Sequence, residues 1–198
     1  MADLYLASTS PHRRRLLAEV GLHVQIESPG VDERSVEIAD PTSLARALAL
    51  AKARAVAVRH PQAWVIGADQ VGYPVESPSE AFGKPSDPDE HVRMLLAMVG
   101  QRHALVTGIA LIGPDFEHVE HDTTVMSVRA DIDEDEIRAY VATGEGSGCA
   151  GGYAAEGRGA FLFADIDGDW SNVIGLPLRP LFGLLRARGW RFGGDRAR

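Results

Sequence analysis

Apolar residues along the chain fall into short dense runs, separated by polar stretches that carry turn and cap residues. Leu4-Tyr5-Leu6-Ala7 is the first run and reads as a strand. It leads into Ser8-Thr9-Ser10-Pro11, where Ser10 can cap a helix and Pro11 suits its first position; that helix is expected to end near Gly21. Val24 to Ser28 alternates weakly as a strand, and Pro29-Gly30 breaks it. Asp40-Pro41 opens a second helix with Leu44, Ala47, Leu48, Ala51, Ala55 and Val58 on one face. Trp64 to Ala68 is an apolar run of the kind buried on both faces of a sheet, with a loop expected from there to Pro85. A third helix starts at Asp87-Pro88-Asp89-Glu90, carries Val92, Leu95, Leu96 and Val99, and stops at Gly100. Two longer strands, about 103–112 and 117–129, meet at Gly113-Pro114-Asp115, and Asp133 with Glu136 forms a capping box for a helix to Thr143. After a glycine-dense stretch at 144–159, Phe161 to Ile166 reads as a strand, Asp167-Gly168 as a hairpin-type turn and Pro180 to Arg188 as the last helix. Strands alternating with helices, plus one long hairpin, predict a mixed α/β fold.

Composition narrows the classes. A chain of 198 residues, 45% of them hydrophobic, suits one domain, expected over 1–192 with a disordered tail at 193–198. A formal charge of −8 argues against a nucleic-acid polymer as partner, because such proteins usually present a basic face. No stretch of about 18 uncharged apolar residues is present to span a membrane. The Met1-Ala2-Asp3-Leu4 start lacks the pattern of a signal peptide, and a single Cys149 fits a reducing compartment, so a cytoplasmic protein is expected.

Several clusters could carry chemistry. In Ser8-Thr9-Ser10-Pro11-His12-Arg13-Arg14-Arg15, three arginines sit in the first turn of a helix, where they oppose the positive end of its dipole. Hydroxyls, free backbone N–H groups and arginines at a helix start make a phosphate site; the alternative is a solvated basic turn. Asp69 is expected at the carboxyl end of the Trp64–Ala68 strand, with the small Gly67 and Ala68 beside it, where a carboxylate can activate water, hold a metal or merely cap a turn. Lys52 lies at the margin of the second helix's apolar stripe, and Lys84 in a Gly83-Lys84-Pro85 loop; each reads equally as a ligand or as a solvated lysine. Asp32-Glu33 offers oxygen ligands of the kind magnesium or manganese takes. Two motifs fail: the G-x-G-x-x-G spelled from Gly146 to Gly151 follows a helix rather than a strand, and His118 and His121 face opposite sides of a strand.

Taken together these segments resemble the Maf family of nucleoside triphosphate pyrophosphatases along nearly the whole chain. The resemblance is carried by Leu6-Ala7-Ser8-Thr9-Ser10-Pro11-His12-Arg13-Arg14, Val31-Asp32-Glu33, Lys52-Ala53, Gly67-Ala68-Asp69-Gln70-Val71, Gly83-Lys84-Pro85, Val106-Thr107-Gly108, Gly144-Glu145, Ala150-Gly151 with Tyr153, and Asn172 to Pro177. It implies a two-lobed mixed α/β fold with a central twisted sheet and a substrate cleft, as in inosine triphosphate pyrophosphatases, often dimeric. It implies Asp69 as the base that activates water, magnesium or manganese held partly by Glu33 and Asp69, and a triphosphate clamped by Ser8, Ser10, Arg13, Lys52 and Lys84. His12, Gln70 and Glu156 fall at positions that select the base. In the branch resembling thymidine and uridine triphosphate pyrophosphatases, Gln70 would be Thr, Cys149 Lys and Glu156 Gln; the residues present instead resemble the 7-methyl-GTP branch. On this reading Glu156 accepts the paired donors of guanine, and Gln70 supplies a donor and an acceptor. The alternatives are a dTTP/UTP pyrophosphatase and a nucleotide-binding regulator of cell division.

Overall fold

Side-chain caps start the helices where local chemistry places them. In the computed structural model, which describes residues 3–33, 36, 38–191 and 193, Ser10 accepts the Arg13 N–H at the head of α1 (Pro11–Glu19), and Asp40 the Ser43 N–H at the head of α2 (Pro41–Ala57). Asp87 does the same for α3 (Pro88–Met98), and Asp133 with Glu136 closes a reciprocal box on α4 (Glu134–Ala142). Each such cap is worth about 0.5–2 kcal/mol. Of the predicted tail, 194–198 lies outside the described residues.

The strands are β1 (Leu4–Ala7), β2 (Gln25–Glu27), β3 (Trp64–Pro74), β4 (Arg102–Gly113), β5 (Phe116–Val128) and β6 (Phe163–Asp167). They form one sheet in the order β2-β1-β3-β4-β5-β6. β1 pairs parallel with β2 and β3, and the remaining pairs are antiparallel. Two small helices close the chain, α5 (Trp170–Val173) and α6 (Leu178–Ala187). Leu6, Leu17, Ile66, Ile109, Leu176 and Leu181 centre one apolar cluster, and Leu95, Met126, Ile137, Tyr140, Tyr153 and Leu162 centre another. Burial of each such side chain contributes about 1.5–3 kcal/mol.

Four expectations are corrected. β3 does not end at Ala68 but runs to Pro74, so Asp69 lies within a strand; what ends there is the pairing with β1, whose last partner is Gly67. β4 pairs with β3 as far as Pro74 and keeps it extended. Of the face expected on α2 only Leu48 is buried; the buried face is Ala45, Leu48, Ala49, Lys52, Ala53 and Val56, with Val58 82% exposed. Small residues win that face because the helix lies against glycines: a Cβ on Gly67 would sit 2.1 Å from the Ala49 carbonyl oxygen, and one on Gly108 2.3 Å from that of Ala45. Phe161 and Leu162 belong to a 3₁₀ turn (Arg158–Leu162), and β6 begins only at Phe163. Asp167-Gly168 makes no hairpin, since Asp169 follows at once as the cap of α5.

Candidate functional site

The closeness of α2 to the sheet is what builds the site. Because Ala49 and Ala53 rest on Gly67, Lys52 is carried over β3 instead of reaching solvent, and it is only 6% exposed. Its Nζ donates to Asp69 Oδ1 at 2.5 Å and pairs with Glu33 Oε1 at 2.6 Å. Asp69 is itself 7% exposed. Burial pushes its carboxyl above the ordinary carboxylate range, against Lys52 and Arg13, which pull it back. A carboxylate so placed is a stronger base than a free aspartate.

Arg13 enters from the first turn of α1. Its Nε donates to the Gly175 carbonyl at 2.8 Å and its Nη1 to Ser8 Oγ at 3.3 Å, and it feels the charges of Asp69 and Glu33. Ser8 Oγ also accepts the Ser10 N–H at 3.1 Å, so the hydroxyls and the arginine form one connected corner. On the far side, the Lys84 loop is fastened to the glycine-rich stretch by Gly151 N–H donating to the Gly83 carbonyl at 3.1 Å. Glu145 braces that stretch by accepting the Gly159 N–H at 2.9 Å. His12 and Glu156 meet across the mouth, Nδ1 to Oε1 at 2.6 Å.

These groups line a single cleft of about 680 Å³. Ser8, Ser10, His12 and Arg13 from α1 and the loop before it, Glu33, Lys52, Asp69, Gln70, Lys84, and Glu156 from the glycine-rich stretch are all on its wall. Arg15 is not; it points away and pairs with Glu19. Cys149 also lines the cleft, and burial, then Glu156, raises its thiol, which keeps it neutral near pH 7.

Two details differ from the expectations. Gln70 does not offer a donor, because both hydrogens of its amide are taken, by the Asn172 carbonyl at 2.6 Å and by Thr107 Oγ1 at 3.1 Å. Glu156 does not wait with two open oxygens, since His12 holds one. Thr107 and Asn172, the residues that orient Gln70, received no role from the sequence. Their signal is polarity inside apolar runs, Thr107 in Leu105-Val106-Thr107-Gly108-Ile109 and Asn172 before Val173-Ile174.

Glu33 and Asp69 are hard oxygen donors gathered on one ammonium, a set that fits magnesium or manganese, which bind proteins through one or two carboxylates and take further ligands from phosphates. Among the described residues no group of three or more His, Cys, Asp and Glu side chains is arranged as a metal site. No helix among the described residues is long and apolar enough to cross a membrane.

A family model described as "Maf-like protein" matches residues 3–188. A protein of Symbiobacterium thermophilum named dTTP/UTP pyrophosphatase is 43% identical over 190 residues, covering 96% of each chain. One of Moorella thermoacetica with the same name is 44% identical over 182 residues, 90% of this chain and 91% of its own. A Synechococcus protein named nucleoside triphosphate pyrophosphatase is 41% identical over 179 residues, 87% of this chain and 96% of its own.

Proposed function

The chain belongs to the Maf-like family, and from that premise we propose that it hydrolyses nucleoside triphosphates between the α and β phosphoryl groups, releasing the monophosphate and pyrophosphate. The observation that carries this reading is the convergence of buried Asp69 with Lys52, Arg13 and Glu33 in one cleft whose opposite wall holds Lys84. Asp69 accepts a proton from water as the water attacks, and Lys52 holds the carboxylate in place through Oδ1. Arg13 and Lys84 face the triphosphate from two walls and stabilise the charge that grows as pyrophosphate departs. The Ser8–Ser10 corner orients the arginine. Magnesium or manganese, held by Glu33 and Asp69, would supply the further positive charge that a tetra-anionic substrate demands of an acidic protein.

On the base, the His12–Glu156 contact favours pyrimidines over 7-methyl-GTP. Guanine presents two adjacent donors and needs both oxygens of a carboxylate, whereas uracil and thymine present one N–H between two carbonyls. Glu156, with one oxygen on His12, matches the single donor better. The relatives named for dTTP and UTP support the same choice, so dTTP and UTP replace 7-methyl-GTP as the substrates assigned here, in spite of Gln70, Cys149 and Glu156. The test is kcat/KM for dTTP, UTP, GTP and 7-methyl-GTP, read as pyrophosphate released. A lead of about tenfold or more, roughly 1.4 kcal/mol, for dTTP or UTP is expected. A lead for 7-methyl-GTP overturns the base assignment alone, and tight retention of triphosphate without pyrophosphate points to a nucleotide-binding regulator instead.

A further inference from the structure

Asn172 is fully buried in the four-residue α5, yet its side chain is only half satisfied. Nδ2 donates to the Leu105 carbonyl of β4 and to Thr124 Oγ1 of β5, both at 2.9 Å, while Oδ1 has no partner among the described residues. A buried acceptor left unpaired is costly, so this amide is unfavourable unless its geometry is needed. Its donors fix the turn that follows to the middle of the sheet. The backbone of that turn then does two things. The Asn172 carbonyl accepts from Gly175 N at 2.8 Å and from Gln70 Nε2 at 2.6 Å, which uses both of its lone pairs. The Gly175 carbonyl accepts from Arg13 Nε at 2.8 Å.

A carbonyl cannot donate, so the Asn172 contact dictates which end of the Gln70 amide faces it. With Nε2 committed there and to Thr107, only the Oε1 acceptor remains for the cleft. That oxygen lies beside the arginine corner: a Cβ built on Gly175 would be 3.8 Å from Gln70 Oε1 and 3.7 Å from Arg13 Nε. We infer that Asn172 is a positioning residue whose turn clamps Arg13 and Gln70 together, leaving Arg13 to meet phosphate and Gln70 to accept a hydrogen bond from an N–H or O–H of the nucleoside. The division of labour is chemical. A guanidinium attracts phosphoryl oxygens, and an amide oxygen repels them, so the pair marks the boundary between the phosphate and nucleoside halves of the cleft. The inference rests on the nucleotide-cleaving reading for its ligand but not for its geometry.

Gln70→Glu separates the clamp from packing. At pH 8 the new carboxylate faces the Asn172 carbonyl without a proton to give, and kcat/KM for dTTP is expected to fall about a hundredfold. On acidification the side chain gains an O–H that can donate to that carbonyl, so the ratio of variant to wild type should climb as pH falls. A variant within about threefold of wild type at pH 8, or a ratio flat with pH, overturns the role in nucleotide selection. Proton exchange of the Gln70 side-chain amide, followed by NMR in the wild type and in Asn172→Ala, tests the clamp without turnover. Slow exchange in the wild type that Asn172→Ala abolishes is expected, and free exchange in the wild type overturns the clamp. If Asn172→Ala does not fold, the wild-type exchange and the Gln70→Glu profile carry the test. A wild type that cleaves no triphosphate, with Gln70 still protected, removes the nucleotide reading and leaves the clamp standing.

Discussion

Gly67→Ala should disable the enzyme without touching any group in the cleft. The glycine has no special backbone angle; its role is to let α2 lie on β3. An added Cβ would meet the Ala49 carbonyl oxygen at 2.1 Å and Ala53 Cβ at 2.8 Å, where ordinary contact begins at 3.4 Å. Restoring contact therefore needs a retreat of the helix from the sheet by about 1.3 Å, at about 1–3 kcal/mol for overpacking. Lys52 lies between Ala49 and Ala53 on the same face and moves with them. A shift of that size along the Nζ–Oδ1 line stretches a 2.5 Å bond to about 3.8 Å, beyond hydrogen-bonding range. Misplacement by about 1 Å costs on the order of a hundredfold in rate. Urea unfolding should accordingly report a loss of about 1–3 kcal/mol, and pyrophosphate release a fall in kcat/KM of about a hundredfold. Gly183→Ala is the control: a Cβ there meets nothing within 4 Å, and the site is an exposed position of α6, so stability should rise by about 0.5–1 kcal/mol. Gly67→Ala with wild-type stability and turnover would refute the claim that glycine contact seats Lys52.

Asp69→Asn should abolish turnover, since an amide cannot accept the proton of water, while leaving stability equal or higher. Burial raises this carboxyl, so its ionised form weakens the fold above its folded pKa, and the amide removes that penalty; a marked loss of stability would contradict this. Alanine at Arg13, Lys52 or Lys84 should lower kcat/KM by at least about tenfold more than alanine at Arg15, whose partner is Glu19 on the surface; four equal losses would undo the converging-cation picture. Burial holds His103 down to about 4. Its unfolded counterpart titrates near 6.5, so stability present above that pH should be lost as pH falls toward 4, about 3 kcal/mol in all. A His103→Gln variant whose urea midpoint follows the same acid profile as wild type would rule this out.

What could be read in the chain and what could not follow from range. The caps at Ser10, Asp40, Asp87 and Asp133 are settled within four residues, and each stands where its spacing predicts. The buried face of α2 was misplaced because hydrophobicity favours the leucines, whereas the helix turns its alanines inward to approach Gly67 and Gly108, which are distant in sequence. Asp69 looked like a strand end because the apolar run stops there, but pairing with β4 carries the strand past it. The candidate residues themselves were legible as motifs, and they do meet in one cleft. Their orientations were not: Gln70 is turned by a carbonyl 102 positions away, and Glu156 is held by His12 from the opposite end of the chain. Those long-range contacts narrow the roles that the residue types suggested, leaving Gln70 an acceptor only and Glu156 one open oxygen.

On the proposed mechanism, a water that Asp69 deprotonates cleaves the bond between the α and β phosphoryl groups. Turnover of dTTP in ¹⁸O-labelled water, with products resolved by mass spectrometry, tests it most directly. One labelled oxygen in thymidine monophosphate, unlabelled pyrophosphate and no product from Asp69→Asn are expected. Label in pyrophosphate, release of orthophosphate, or undiminished turnover by Asp69→Asn would contradict it.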